Sequence, residues 1–345
     1  MSRQYGALSG LAILLIVVNH SIELAINATT STMATWQNYL LTILQALGVF
    51  AVPTFLFISG SFVAYAAQGN PPRLSRKFLV SSLRHIILPY LIWSIVFYLF
   101  VFILRGERYS AAGYIKNLLV GYPFHFVPLL VFYYIISPLL VRIGKTRAGI
   151  LLLVLIGLYQ LILINLLNPG YLGFILPEGA RFLAVPVLRS TLADWAIYFP
   201  LGLVLSLRAR KWIPWSQKYL WVFAGLTFLL FVLGLLNAFS ILSFPLARFL
   251  CPIPLVLLLP GIRRDSIPLV RPLERVGRRS YGIYLTHLII LNLVLFVLST
   301  LLPWLFELPI LVSVLFFLIG AGVPLLIMEN VAKGPAKQVY RTIFG

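Results

Sequence analysis

Residues 7–27 read ALSGLAILLIVVNHSIELAIN, a mainly apolar run that is long enough to cross a bilayer as one helix. Comparable runs follow one another along the 345-residue chain, separated by short polar breaks. Of all residues, 61% are hydrophobic and only 10% are charged, whereas a soluble domain carries about 25% charged residues. The mean hydropathy is +1.00. The runs are too long for the alternating strands of a membrane barrel, so the sequence predicts an all-α integral membrane protein.

The apolar runs predict one domain, residues 1–345, built as a bundle of about ten transmembrane helices. The predicted spans are 7–27, 39–67, 85–104, 124–141, 149–167, 191–207, 219–237, 246–262, 280–301 and 308–330. With the N-terminus in the cytoplasm, most of the 27 lysines and arginines fall in inner loops, as the positive-inside rule requires. We therefore expect both termini to be cytoplasmic. The net charge of +19 then reflects topology, and no nucleic acid partner is expected.

The first span contains two ionisable residues, His20 and Glu23. They are three residues apart, so their side chains share one helix face and can meet. Ionisable groups at membrane depth are costly unless they are paired or face water, which makes this pair a candidate catalytic site. A carboxylate that fixes the tautomer of an imidazole prepares the other ring nitrogen to act as a general base. The alternative is a histidine packed between helices beside a glutamate that reaches the outer surface.

A second set of polar residues lies in the ninth predicted span, SYGIYLTHLIILN (280–292). Tyr281, Tyr284 and His287 follow one another at intervals of three residues and lie on roughly one helix face. This spacing predicts a polar stripe toward the interior of the bundle. An aromatic belt with one hydrogen-bonded histidine would give the same pattern.

We also expect an outward-facing vestibule between the long outer loops. Its candidate polar residues are His125 and Asp194, which lie at the outer ends of predicted spans. An uncompensated carboxylate in lipid is costly. We therefore expect Asp194 to face the vestibule or to pair with Arg189 or Arg181.

The inner end of the third predicted span is basic, with Arg76, Lys77 and Arg84 in succession. Such a cluster suits phosphate groups, although residues that only set topology would look the same. The single cysteine, Cys251, excludes an intrachain disulfide. No two histidines have the spacing of a helical zinc site, so we expect neither a metal nor a bound cofactor.

Several segments, in the same order along nearly the whole chain, resemble the acyltransferase 3 family. These membrane-embedded enzymes modify glycans and lipid-linked sugars. SGLAILLIVVNH (9–20) resembles the opening helix of the family, and FLFISGSF (55–62) is similar to its Ser-Gly segment. VGRRSYGIYLTH (276–287) resembles its late motif, and YRTIFG (340–345) also fits.

The resemblance implies transfer of an acyl group, usually acetyl, from cytoplasmic acyl-CoA to a hydroxyl of a glycan or lipid-linked sugar. Acyl-CoA is then a co-substrate, and the protein is a multi-pass protein surrounded by lipids of the cell membrane, as in the bacterial inner membrane. His20 matches the essential histidine of the first helix and would be the general base or an acyl relay. Expected donor-site and tunnel residues are Arg76, Arg84, Arg278, Arg279, Ser280, Tyr281, Tyr284 and His287.

One position departs from the family pattern, because Ser9 stands where the family has an arginine. This position is eleven residues before the histidine, on the same helix face and about 16 Å toward the cytoplasm. Arg76, Arg84, Arg278 or Arg279 could supply the missing charge; otherwise the chain is an inactive relative. A transporter or flippase of a lipid-linked or amphipathic molecule is a further alternative, although the sequence shows no inverted repeat.

Overall fold

The computed structural model describes residues 3–29 and 32–345, which are mostly helical and contain no β-strand. The all-α prediction is thereby confirmed. The α-helices are α1 (Arg3–Ala28), α2 (Thr35–Ala46), α3 (Ala51–Ala66), α4 (Arg76–Arg105), α5 (Ala111–Val120), α6 (Phe126–Gly144), α7 (Arg147–Leu167), α8 (Arg189–Trp195), α9 (Tyr198–Leu207), α10 (Ala209–Lys218), α11 (Leu220–Ala238), α12 (Ala247–Leu250), α13 (Pro252–Leu258), α14 (Val270–Gly277), α15 (Ser280–Leu301), α16 (Pro309–Lys333) and α17 (Tyr340–Phe344).

Within residues 3–29 and 32–345, eight helical runs are long and apolar enough to cross a membrane. They are α1, the run of α2 and α3, α4, α6, α7, α11, α15 and α16. The pair α8 and α9, bent by 49°, is a ninth candidate. The predicted span 246–262 corresponds to a shorter apolar segment, Ala247–Gly261. Its helical rise of about 22 Å falls short of the hydrocarbon core of about 30 Å. The count of ten and the cytoplasmic termini stay predictions.

Helices α3 and α9 cross at backbone contact distance. A Cβ atom on Gly60 would overlap the carbonyl oxygen of Phe199, and one on Gly202 would overlap that of Phe57. The Ser61 hydroxyl donates to the Phe57 carbonyl at 2.9 Å, within its own helix. Small residues of this kind are the usual means by which helices approach closely in a membrane.

A similar contact holds the short helix α14 against the start of α1. A Cβ atom on Gly277 would overlap the Gly6 carbonyl oxygen, and one on Gly10 would overlap the Leu273 carbonyl oxygen. Glu274 of α14 forms an ion pair at 2.6 Å with Arg264, which lies in the segment before this helix, and this hydrogen bond lowers the pKa of the Glu274 carboxyl. Because α15 begins three residues after Gly277, the contact also fixes where α15 starts relative to α1.

The glycine crossing of α3 and α9 gives a stability prediction. We expect Gly202→Ala to lower the free energy of unfolding by about 2 kcal/mol, because the new methyl group meets rigid backbone. Gly157→Ala is the matched control, since a Cβ at this position in α7 meets nothing within 4 Å. We expect this control to remain within about 1 kcal/mol of the wild type or to gain stability. Equal thermal unfolding of both variants in detergent would contradict the crossing.

Candidate active site

Two imidazole rings, His20 of α1 and His287 of α15, lie side by side in the bundle. Their centroids are 5.5 Å apart and the rings are inclined by 35°. The His20 side chain is 32% exposed, whereas His287 is fully buried. The sequence did not predict this contact, because the two residues are far apart in the chain and the stripe on α15 carries no information on its partner helix.

Both rings use Nδ1 in a hydrogen bond. Nδ1 of His20 lies 3.1 Å from Oε2 of Glu23, as the three-residue spacing requires. Nδ1 of His287 lies 3.0 Å from the carbonyl oxygen of Ile283. A carbonyl or an ionised carboxylate can only accept a hydrogen bond. In the neutral rings, the proton therefore lies on Nδ1 and the free electron pair lies on Nε2.

The Nε2 atom of His287 is buried and has no hydrogen-bond partner within residues 3–29 and 32–345. A buried polar atom of this kind costs about 1–3 kcal/mol when it stays unsatisfied. Native structures contain few such atoms, and active sites are one of the places where they occur.

A cavity of about 320 Å³, here called the neutral cavity, lies beside the N-terminal half of α15. Its polar lining consists mainly of hydroxyl groups from serines and tyrosines. The lining residues are Ser9, Phe55, Ile58, Ser59, Phe62, Ser82, His85, Ile86, Phe126, Leu130, Tyr134, Ser280, Tyr281, Tyr284 and Gly345. No lysine, arginine, aspartate or glutamate belongs to this lining, and every member lies in the described part of the chain.

A second cavity of about 410 Å³, here called the basic cavity, adjoins the first. It is lined by Lys77, Val80, Ser81, Arg84, His85, Leu88, Arg341 and Thr342. The two cavities share His85. Three permanent positive charges therefore lie next to the uncharged cavity, with one histidine at the boundary.

Tyr284 connects the neutral cavity to the histidine pair. Its ring lines the cavity and lies 5.9 Å from the ring of His287. It also packs at 4.4 Å against Phe126, which is another lining residue. The order of groups is therefore basic cavity, neutral cavity, Tyr284, His287, His20 and Glu23.

Of the eight predicted donor-site and tunnel residues, four line a cavity, and His287 lies next to Tyr284 without lining either cavity. Ser280, Tyr281 and Tyr284 line the neutral cavity, and Arg84 lines the basic cavity.

The other three predicted arginines lie outside both cavities. Arg76 and Arg278 are exposed on the surface. Arg279 is mostly buried and points to Glu329, with 3.8 Å between Nη2 and Oε1. Arg279 has a carboxylate partner and the other two arginines line neither cavity. That these three residues supply the charge missing at Ser9 stays a prediction.

The basic cluster of the sequence analysis already included Lys77, whereas His85 and Arg341, which also line the basic cavity, were not assigned to the donor site. A signal was present on α4, because positions 77, 81, 84 and 88 recur at helical spacing and share one face. The contribution of Arg341 had no local signal, since α17 reaches α4 only through the tertiary fold. There the Trp93 indole donates to the Ile343 carbonyl oxygen at 2.8 Å.

The structure does not join the two predicted vestibule residues. His125 and Asp194 are both exposed, and no hydrogen bond links their side chains in the described ranges. Arg181 pairs with Glu178 at 3.8 Å. The described residues contain no ion pair of Asp194 with Arg181 or Arg189. Of the two alternatives for Asp194, the pairing is therefore not formed among the described residues, and its place in a vestibule stays a prediction.

A family model described as an acyltransferase domain matches residues 7–329, nearly the whole chain. The chain belongs to the acyltransferase 3 family. It is thus a multi-pass membrane protein of a family that transfers acyl groups. The matched range contains His20, Glu23 and His287. No curated protein and no solved structure matches the chain.

In the acyltransferase 3 family pattern, an arginine stands where this chain has Ser9. Ser9 is 3% exposed and forms part of the wall of the neutral cavity. The arginine expected here from the family pattern would have placed a positive charge inside that cavity. In this chain no lysine, arginine, aspartate or glutamate side chain lines that cavity, and Lys77, Arg84 and Arg341 line the adjoining basic cavity.

The hydrogen-bond pattern of the two rings gives a spectroscopic prediction. Solid-state nitrogen NMR of histidine-labelled protein is feasible because the chain has only four histidines. At mildly alkaline pH we expect both His20 and His287 to carry the proton on Nδ1. In Glu23→Ala, His20 loses its acceptor, so its signal should shift toward the Nε2–H tautomer while that of His287 stays unchanged. Identical His20 signals in both proteins would contradict the bond to Glu23.

Proposed function

We propose that this protein is an O-acyltransferase that moves an acyl group, typically acetyl, from cytoplasmic acyl-CoA to a hydroxyl of a glycan or lipid-linked sugar. The observation that carries the proposal is the continuous order of a basic cavity, a neutral cavity and a histidine pair. The bacterial inner membrane is the corresponding location.

The two cavities match the two chemical parts of an acyl-CoA donor. Its phosphates carry negative charge and suit Lys77, Arg84 and Arg341, since charge-assisted hydrogen bonds to phosphate are the strong ones. Its pantetheine arm is uncharged and contains amides, which suit the hydroxyl groups of the neutral cavity. The positive-inside rule supports a cytoplasmic position for the basic cavity.

The presence of serine instead of arginine at position 9 agrees with this assignment of the phosphates to the basic cavity and of the pantetheine arm to the neutral cavity. A positive charge inside the neutral cavity would be needed if phosphate entered there. With three cations in the basic cavity, the phosphates can remain outside and only the neutral arm needs to enter. We infer that Ser9 is compatible with catalysis in this chain.

His20 is suited to act as the general base on the acceptor. Glu23 holds its Nδ1–H, which leaves Nε2 free to accept the proton of an acceptor hydroxyl. The hydroxyl oxygen then attacks the thioester carbonyl carbon, the C–S bond breaks, and the CoA thiolate leaves. General-base catalysis of this kind contributes about 10²–10⁴-fold. The partial exposure of His20 permits an acceptor to approach, whereas His287 is shielded.

The direct test is acetyl-CoA turnover by the purified protein in nanodiscs, with membrane extract as the acceptor and release of free thiol as the signal. We expect His20→Gln to lower kcat by about 100-fold or more while acetyl-CoA binding is retained. Leu11→Ala is the matched control, because Leu11 is an exposed apolar residue of the same helix. Wild-type turnover in both variants would remove His20 from the mechanism. A wild type that neither binds nor cleaves acetyl-CoA would favour the transporter or the inactive relative.

The role of the basic cavity gives a separate prediction. We expect Arg84→Gln to raise KM for acetyl-CoA about tenfold with little change in kcat, because loss of one charged hydrogen bond weakens donor binding by about 1.5 kcal/mol. The matched control is Arg147→Gln, an exposed arginine outside both cavities. Equal KM values for the two variants would contradict phosphate binding in the basic cavity.

A further inference from the structure

The proposed reaction must move one proton across the site. The acceptor hydroxyl loses its proton to His20, while the leaving CoA sulfur, which departs on the side of the neutral cavity, must gain one. His20 cannot deliver this proton through its own Nδ1, because that atom is bonded to Glu23. The proton taken up at Nε2 must therefore leave from Nε2, either directly to the thiolate or through a second group between His20 and the thiolate.

His287 has the properties of this second acceptor. Its bond to the Ile283 carbonyl fixes the proton on Nδ1, so Nε2 carries a free electron pair. This atom is buried without a hydrogen-bond partner within the described ranges. The ring lies 5.5 Å from the ring of His20 and 5.9 Å from the ring of Tyr284, which lines the neutral cavity.

We propose that His287 relays the acceptor proton from His20 to the CoA thiolate that leaves in the neutral cavity. This inference rests on the proposed acyl transfer and adds a second catalytic histidine to it. Catalytic hydrogen bonds are often long in an empty site and shorten when the reactants bind, so the present ring separation suits a relay that closes during turnover.

The steps balance in atoms and electrons. As the acceptor oxygen bonds to the thioester carbon, its proton moves to Nε2 of His20. The C–S bond then breaks and the sulfur keeps the electron pair. His20 passes the proton from Nε2 to Nε2 of His287, and His287 passes it to the thiolate, which becomes the free thiol. Both rings return to the tautomers with the proton on Nδ1, and the net products are the acyl ester and CoA.

A purely structural His287 would explain the bond to Ile283 equally well, and two substitutions separate the roles. In His287→Asn, the side-chain amide nitrogen takes the place of Nδ1 and can still donate to the Ile283 carbonyl, but nothing replaces Nε2. In His287→Gln, the amide reaches the position of Nε2 but cannot accept and release a proton at neutral pH. A structural role therefore predicts activity in His287→Asn, whereas a relay predicts its loss in both variants.

The test uses full-length protein in nanodiscs with acetyl-CoA and membrane extract, and measures kcat, KM for acetyl-CoA and the thermal unfolding midpoint. We expect kcat to fall by about 100-fold in both variants, with KM within about twofold because donor binding is not involved. His287→Gly supplies a second measurement, since added imidazole should enter the vacated space and restore kcat.

The outcomes are distinct. Wild-type kcat in His287→Asn, or a folded His287→Gly that imidazole does not rescue, would overturn the relay and leave the acyltransferase in place. If the Asn variant is unstable, imidazole rescue of the Gly variant decides the question alone. A wild type that releases no thiol from acetyl-CoA would refute the proposed function and the relay together.

Discussion

The contact between α1 and α14 is the constraint on which the geometry of the site depends. Gly10 of α1 meets the Leu273 carbonyl of α14, and Gly277 of α14 meets the Gly6 carbonyl of α1, with no space for a Cβ atom on Gly10 or Gly277. This contact sets the start of α15 relative to α1. Seven residues into α15, His287 consequently meets His20. A larger residue at Gly10 or Gly277 would shift one helix relative to the other and separate the two rings.

The basic residues near the starts of α4 and α15 form two groups: one group holds helices together, and the other lines the basic cavity. Arg275 and Arg279 both engage Glu329 of α16 and so tie the loop before α15 to the last long helix. These arginines are thus occupied in holding the bundle together. Lys77, Arg84 and Arg341 line the basic cavity, and no carboxylate within the described ranges pairs with them. This division explains why only a few of the many arginines in this chain are available to bind a ligand.

Much of the architecture was predictable because it depends on local patterns. Apolar runs gave most of the long helices, and the three-residue spacing gave the contact of His20 with Glu23. Two members of the stripe on α15, Tyr281 and Tyr284, line the neutral cavity, whereas His287 does not. The partners across helices were not predictable, because the meeting of His20 with His287 and the return of Arg341 to α4 depend on tertiary packing. The helical segment Ala247–Gly261 is shorter than the span predicted there, because hydropathy does not reveal where a helix ends.

The central claim is that an acyl donor enters through the basic cavity and brings its reactive end to the histidine pair. A cryo-EM structure with a non-cleavable thioether analogue of acetyl-CoA would test it most directly. The account predicts phosphates beside Lys77, Arg84 and Arg341, and the acyl carbon beyond Tyr284, where a hydroxyl hydrogen-bonded to His20 could approach to about 3–3.5 Å. An analogue bound elsewhere, or with its acyl end pointing away from His20, would contradict the account.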